Sequence, residues 1–334
     1  MKIDTYCHIL PKKYAEALYA RRPASSFYGR KSLDDYPSLT DLDIRFRIMD
    51  KYEGLVQVLS LANPLVEDVA GPKDATELAK LANEEMAELV FKYPDRFVAA
   101  IACLPMNDID AALKETDRAI TELKFRGVQI ASEINGKPLD SPEFMPLYEK
   151  MAYYDLPIFI HPHRANSVPD YPTESESKHL AFITFGWPYD TTLAMHRLIF
   201  GGGIFEKYPT LKILIHHCGA MVPCFAGRIP AVHDAYEMRA SYQYEHHFTK
   251  RPIDYFRMFY TDIITYGSTP ALMCGYDFFG IDHLLFATDL PMDNQHGDRF
   301  IRETIRCVEQ MNIPDSEKQK IYEDNPKKLL RLPL

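Results

Sequence analysis

Short apolar runs alternate along this chain with longer amphipathic stretches, the pattern left by parallel strands that helices cross over. Eight runs read as strands: Lys2–Tyr6, Leu55–Leu61, Phe97–Cys103, Gly127–Ile130, Pro157–His161, Leu211–His216, Met258–Thr261 and His283–Ala287. Between them a helical period predicts Asp74–Tyr93, with Leu78, Leu81, Met86 and Leu89 apolar, then Ile109–Leu123, Pro142–Tyr154, Thr191–Tyr208, Thr269–Tyr276 and Asp298–Met311. Ser141-Pro142 has the form of an N-cap and first helical position, and Asp190 stands in the same way ahead of Thr191. Eight strand-and-helix units predict an α/β fold, a (β/α)8 TIM barrel. It forms one domain over residues 1–334, with insertions after strand 1 (11–45) and strand 5 (163–190). A doubly wound open sheet is the structural rival, but no strand ends in GxGxxG or GxxxxGK[ST], so a nucleotide-binding version lacks its phosphate cradle.

Charge and composition narrow the partners. The chain has 38 Lys and Arg against 47 Asp and Glu, a formal net charge of −9, and no long basic run. Nucleic acid is therefore not an expected partner. No window approaches about 18 consecutive apolar residues, and the opening MKIDTYCHIL holds too short an apolar stretch for a signal sequence. A cytoplasmic protein without membrane partners is expected. Cys7, Cys103, Cys218, Cys224, Cys274 and Cys307 stand singly, without a CxxC pair, and read as reduced, mostly buried thiols.

In a barrel, polar groups that end apolar strands converge at one mouth, where barrel sites are built. Four strands end this way: Tyr6-Cys7-His8, Ile158-Phe-Ile-His161-Pro-His163, Ile213-Leu-Ile-His216-His217-Cys-Gly219, and Leu285-Phe-Ala-Thr-Asp289-Leu-Pro291. A single His or Asp at a strand end is ordinarily a satisfied core group or a loop cap. Four such ends together supply neutral imidazoles and a carboxylate, the ligand types of a divalent transition metal. Three protein ligands and an open position make a catalytic rather than a structural metal site.

Together these residues resemble the amidohydrolase superfamily: Ile3-Asp4-x-Tyr6-x-His8, His161-Pro162, His217-Cys-Gly219 with Arg228 downstream, Phe259-Tyr-Thr-Asp262, and Ala287-Thr-Asp289-Leu-Pro291. More narrowly they resemble its decarboxylase branch, typified by aminocarboxymuconate semialdehyde decarboxylase and the hydroxybenzoate decarboxylases. Gly201-Gly-Gly-Ile-Phe-Glu-Lys-Tyr-Pro209, Gly127-Val-Gln129 and Asn325-Pro-x-x-Leu-Leu330 add to the likeness, which runs from residue 2 to about 330. The resemblance implies a (β/α)8 barrel holding one divalent metal, zinc in the first place and manganese as the alternative. His8, His161 and Asp289 would be its ligands. Asp289 would also transfer protons, and His217 would serve as acid or base. Leu211, Ile213 and Ile215 share parity with His217, so His217 is expected to face the barrel interior and His216 to pack against the helices.

Departures from the family pattern shape the remaining expectations. Tyr6 stands where relatives carry His or Glu, and a phenol with an ordinary pKa of about 10 is a poor ligand. Tyr6 is expected to hydrogen-bond substrate or a water held by the metal. Loss of the metal and ligation by the phenolate are its alternatives. No arginine near residues 30–40 convincingly matches the one with which the semialdehyde decarboxylase grips its substrate. Arg228 matches an arginine that reaches a neighbouring subunit's site, so a homodimer or higher homo-oligomer is expected. Arg164 and His163 complete the candidate substrate contacts. The tyrosine- and histidine-rich stretch Tyr242–His247 fits no metal spacing and reads as solvated or interfacial. The function these expectations favour is metal-dependent, non-oxidative decarboxylation of a small aromatic or unsaturated organic acid. A metal-dependent hydrolase or hydratase using the same residues, and a catalytically dead binding protein, are the rivals.

Overall fold

The computed structural model describes residues 1–21, 34–238, 244 and 246–334. Eight strands stand where the apolar runs place them: β1 (Lys2–Ile9), β2 (Leu55–Leu61), β3 (Phe97–Ala100, continued by Ala102–Cys103), β4 (Val128–Ala131), β5 (Ile158–His161), β6 (Ile213–Ile215), β7 (Tyr260–Asp262) and β8 (Leu284–Leu285). Each pairs in parallel with its neighbours in chain order. The ring then closes. Phe286 O accepts from Thr5 N at 2.9 Å, Leu290 O from His8 N at 2.7 Å and Tyr6 O from Asp289 N at 3.2 Å. Closure rejects the open-sheet rival and removes both sheet edges.

The strands are buried on two sides and divide the apolar residues between two cores. Ile3, Tyr6, Val58, Phe159, Leu214, Leu285 and Ala287 fill the barrel interior. Cys7, Leu59, Ile158, Ile160, Ile213 and Ile215 pack outward against the helices. Ile3 and Tyr6 share the interior despite opposite parity because the β1–β2 register shifts between Asp4 and Cys7.

The helical period accounts for α1 (Pro72–Lys92), α2 (Ile109–Thr121), α3 (Met145–Tyr154), α4 (Trp187–Phe200), α6 (Thr269–Phe279) and α7 (Asp298–Gln310), whereas α5 (Arg228–Glu237) is a helix that it did not predict. Three local expectations need correction. Thr191–Tyr208 is two helices, α4 and the short turn Ile204–Lys207, because Gly201-Gly202-Gly203 interrupts it and Gly203 adopts φ +58°. Helix α4 begins at Trp187, so Asp190 lies within its first turn rather than ahead of it. Ser141 makes no side-chain cap bond, and Pro142 opens a 3-10 turn that leads into α3. The long connection from β1 to β2 has its residues 22–33 outside the described residues, as are Tyr242, Gln243 and Glu245 of the Tyr242–His247 stretch.

Candidate active site at the barrel mouth

His8 in β1 and His161 at the end of β5 are buried, with ring centroids 5.4 Å apart and planes at 71°. Asp289 follows β8, and its Oδ1 lies 3.1 Å from His8 Nε2. Tyr266, in the loop after β7, donates its hydroxyl to Asp289 Oδ2 at 2.9 Å. That hydroxyl stands 3.3 Å from His217 Nε2, which is itself 3.9 Å from Asp289 Oδ2. The Tyr266 ring reaches the surface while its hydroxyl end points inward. Strands 1, 5, 6 and 8 thus bring together the four side chains expected from their ends.

The backbone bears the cost of this arrangement. His217, Tyr266 and Asp289 adopt φ of 59°, 51° and 62°, a left-handed region that non-glycine residues enter at roughly 1–3 kcal/mol each. Asp262, at the end of β7, holds the first of these turns. Its Oδ2 lies 2.7 Å from His216 Nδ1 and accepts from His217 N at 3.1 Å, while its Oδ1 accepts from Cys218 N and Ile264 N at 3.0 Å. Asp4 fixes the approach to Asp289 by accepting from Thr288 N at 2.9 Å and Thr288 Oγ1 at 2.6 Å.

His216 is therefore a correction. It does not pack against the helices. Leu214 is the inward residue of β6, so His216, two positions on, also points inward and stacks on Tyr6 at a centroid distance of 3.6 Å. His217 reaches the mouth for another reason: the strand ends at Ile215, and the left-handed turn re-aims the next side chain.

Tyr6 is placed differently from its expected role. It is fully buried against both His216 and Phe159, and its hydroxyl lies 2.8 Å from Gln129 Oε1. His163 turns from the mouth towards Glu133 and Asp68, with Nε2 at 3.3 and 3.7 Å from their carboxylates. Arg164 spends its Nη1 on both oxygens of Asp190, each at 3.0 Å. Arg228 opens α5 on the exposed surface. Sequence reasoning gave no role to Asp262, Tyr266, Asn63 or Gln129. Tyr266 is a polar residue just past an apolar strand, the same signal that found Asp289.

Electrostatics suit a cation. Burial pushes the Asp289 carboxyl up, but the hydrogen bond to His8 and the fields of His8, His217 and His161 outweigh it and hold Asp289 well below the usual carboxylate range. Burial, helped by His8 and His216, holds His161 well below the ordinary histidine value and so uncharged. A neutral imidazole and an ionised carboxylate are ligand forms. The buried Nδ1 of His8 has no hydrogen-bond partner, and Asn63 Nδ2 lies 3.5 Å from His161 Nδ1. Among the described residues no three His, Cys, Asp or Glu side chains already converge as a cage, since His8 and Asp289 face each other directly. The pair nevertheless sets two donor atoms at the spacing of neighbouring ligands on one ion with bonds of about 2.0–2.2 Å.

These side chains form the floor of a cavity of about 670 Å³ whose walls come from the 180–188 segment, the loops after β6 and β7, and Met292 and Phe300. Known proteins resemble this chain in sequence and fold. γ-Resorcylate decarboxylase of Polaromonas sp. is 31% identical over 319 residues, covering 89% of this chain and 91% of the relative. 2-Amino-3-carboxymuconate-6-semialdehyde decarboxylase of Dictyostelium discoideum is 31% identical over 250 residues, covering 69% of this chain and 66% of that protein. The crystal structure of a dihydroxybenzoic acid decarboxylase from Polaromonas sp., with bound manganese and the inhibitor 2-nitroresorcinol, superposes with a TM-score of 0.82 at 28% identity. That match covers 99% of this chain and 96% of the other. With the amidohydrolase family pattern matching residues 3–332 over a closed eight-stranded barrel, the chain belongs to the amidohydrolase family.

Proposed function

We propose that this protein is a metal-dependent, non-oxidative decarboxylase of a small aromatic carboxylic acid. The observation that carries the reading is the convergence of His8 and His217 with an ionised Asp289 and an uncharged His161 on one cavity floor. His8, His161 and Asp289 would hold one divalent ion, zinc or manganese, since the donor set suits both. Bound there, the ion supplies positive charge where negative charge gathers on the substrate oxygens as the C–C bond breaks.

The chain's own residues account for the proton. Asp289 is held ionised, so His217, which lines the cavity with its Nε2 beside the Tyr266 hydroxyl, is the better donor to the carbon that bears the carboxylate. The Tyr266 hydroxyl, bridging Asp289 Oδ2 and His217 Nε2, orients both. The carbon gains a proton, the C–C bonding pair stays with the ring, and CO2 leaves.

We also infer a homodimer. Phe185, Tyr189 and Leu193 recur at every fourth residue through the start of α4 and are exposed, as are Val232 and Tyr236 on α5. The two helices pack side by side through His196, Phe200 and His233. Burial of such a joint apolar face is the ordinary reason for pairing, and Arg228 at the head of α5 would then face the partner. All six cysteines are free thiols and four are buried, which suits a reducing cytoplasm. No helix among the described residues is long and apolar enough to cross a membrane.

The test is CO2 or bicarbonate release by manganese-loaded protein from a panel of hydroxybenzoates that includes γ-resorcylate, set against hydrolysis of lactones and hydration of alkenes. Turnover of a lactone or alkene without CO2 would overturn the reading. Light scattering after size exclusion checks the dimer.

A further inference from the structure

Three asparagines among the described residues are buried, and two of them are tied to the backbone. Asn83 donates to Cys103 O at 2.9 Å and to Glu115 Oε1 at 2.7 Å, and it accepts from Cys103 N at 2.9 Å. Asn325 donates to Ile281 O at 2.7 Å and Leu284 O at 2.8 Å. Asn63 differs. It stands two residues past β2, lines the cavity at 5% exposure, and its Oδ1 has no hydrogen-bond partner. Its Nδ2 lies 3.5 Å from His161 Nδ1, longer than an ordinary hydrogen bond. A buried carboxamide matched this poorly costs stability, and such a cost is kept where a ligand uses the group.

The mismatch has a chemical origin. An ion held by His161 Nε2 leaves the ring proton on Nδ1, which is then a donor facing the Asn63 amino group, another donor. A half-turn of the carboxamide about its last bond keeps its outline and removes the conflict. Oδ1 then accepts from His161 Nδ1, and the amino group takes the place that Oδ1 held, as a donor lining the cavity.

We propose that Asn63 is a binding and positioning residue of this site: its carboxamide oxygen holds the Nδ1 proton of His161 as a ligand, and its amino group donates to an anionic oxygen of the acid. This rests on the reading of the site as one for a metal and an organic acid, and not on the loss of CO2. The two halves are coupled, because the amino group turns to the acid only when the oxygen serves His161.

Manganese binding is read from the paramagnetic resonance of the free ion, and acid binding from calorimetric titration of γ-resorcylate into manganese-saturated protein. Wild-type protein that binds neither overturns the proposal together with the reading of the site. Asn63→Leu removes both ends of the carboxamide. It is expected to weaken manganese about tenfold or more and, at saturating manganese, the acid about tenfold or more. Asn63→Asp keeps the shape and the acceptor for His161 but loses the donor. Manganese should bind it within about threefold of wild type or more tightly, and the acid about tenfold or more weakly. A merely structural asparagine would not separate the two ligands in this way. An unchanged affinity for either ligand in Asn63→Leu overturns the proposal, as does a loss of manganese or an unchanged acid affinity in Asn63→Asp. Circular dichroism checks folding, and Asn63→Asp decides the matter if Asn63→Leu does not fold. CO2 release is read separately: binding in this pattern without any CO2 leaves the role of Asn63 standing and removes the decarboxylase reading.

Discussion

Two histidine–aspartate pairs lie within one barrel and do different work. His8–Asp289, at 3.1 Å, opens on the cavity. His216–Asp262, at 2.7 Å, has both side chains fully buried. Asp289 has one oxygen at His8 and the other at Tyr266 and His217, so its neighbours are chemical groups. Asp262 instead accepts three backbone amides besides His216, so it holds the left-handed turn that aims His217. The same two residue types are a site in one place and a hinge pin in the other, and access to the cavity separates them.

Substitution separates the two pairs. Asp289→Asn is expected to lower kcat by about 10³-fold and to lower bound metal, with little change in folding; CO2 assays, elemental analysis and circular dichroism check it. Retained activity would show that Asp289 is structural like Asp262. Asp262→Ala is expected to cost about 3–5 kcal/mol in urea unfolding, because it leaves His216 and three amides without their acceptor. A cost under about 1 kcal/mol would end its role as the pin. His217→Gln should lower kcat by about 10²-fold and leave stability within about 0.5 kcal/mol; a loss of stability equal to that of Asp262→Ala would make His217 part of the turn's support.

Glu67, a buried carboxyl without a histidine partner, calibrates both pairs. Burial pushes it up from 4.5 to about 8, the charges of Asp68 and Glu133 add to this, and its own backbone amide opposes it. The folded protein keeps a proton that the unfolded chain releases, so this contribution is whole below about pH 4.5 and is lost as pH rises through about 8. Glu67→Gln should remove that slope, at most about 1.4 kcal/mol per pH unit, from stability measured between these limits. The smallest effect is expected for Tyr6→Phe. It loses one hydrogen bond to Gln129, about 1 kcal/mol, and leaves kcat unchanged, whereas a large fall in kcat would return Tyr6 to the reacting groups.

The eight strands were legible because each is a short apolar run bounded by polar residues, and His8, His161 and Asp289 were legible because each ends such a run. Boundaries were less so. Gly203 broke a helix that periodicity alone would continue, and α4 started before its apolar stripe because Trp187-Pro188 suits a first turn. The side-chain directions of His216 and His217 were not legible. Parity holds only while the backbone is extended, and the choice of which parity faces inward was made by Leu214 meeting the interior core.

Sequence by itself determined the number and order of the strands, the barrel they imply and the residue types available for a metal site, because local hydrophobic period and strand-end polarity are properties of neighbours in the chain. Tertiary structure decided the rest. It sent Tyr6 to Gln129, Arg164 to Asp190 and His163 to Glu133, and it placed Tyr266 on Asp289. These assignments depend on partners tens to hundreds of residues away, and a polar side chain in a low-dielectric interior settles on whichever partner closure of the ring brings within reach.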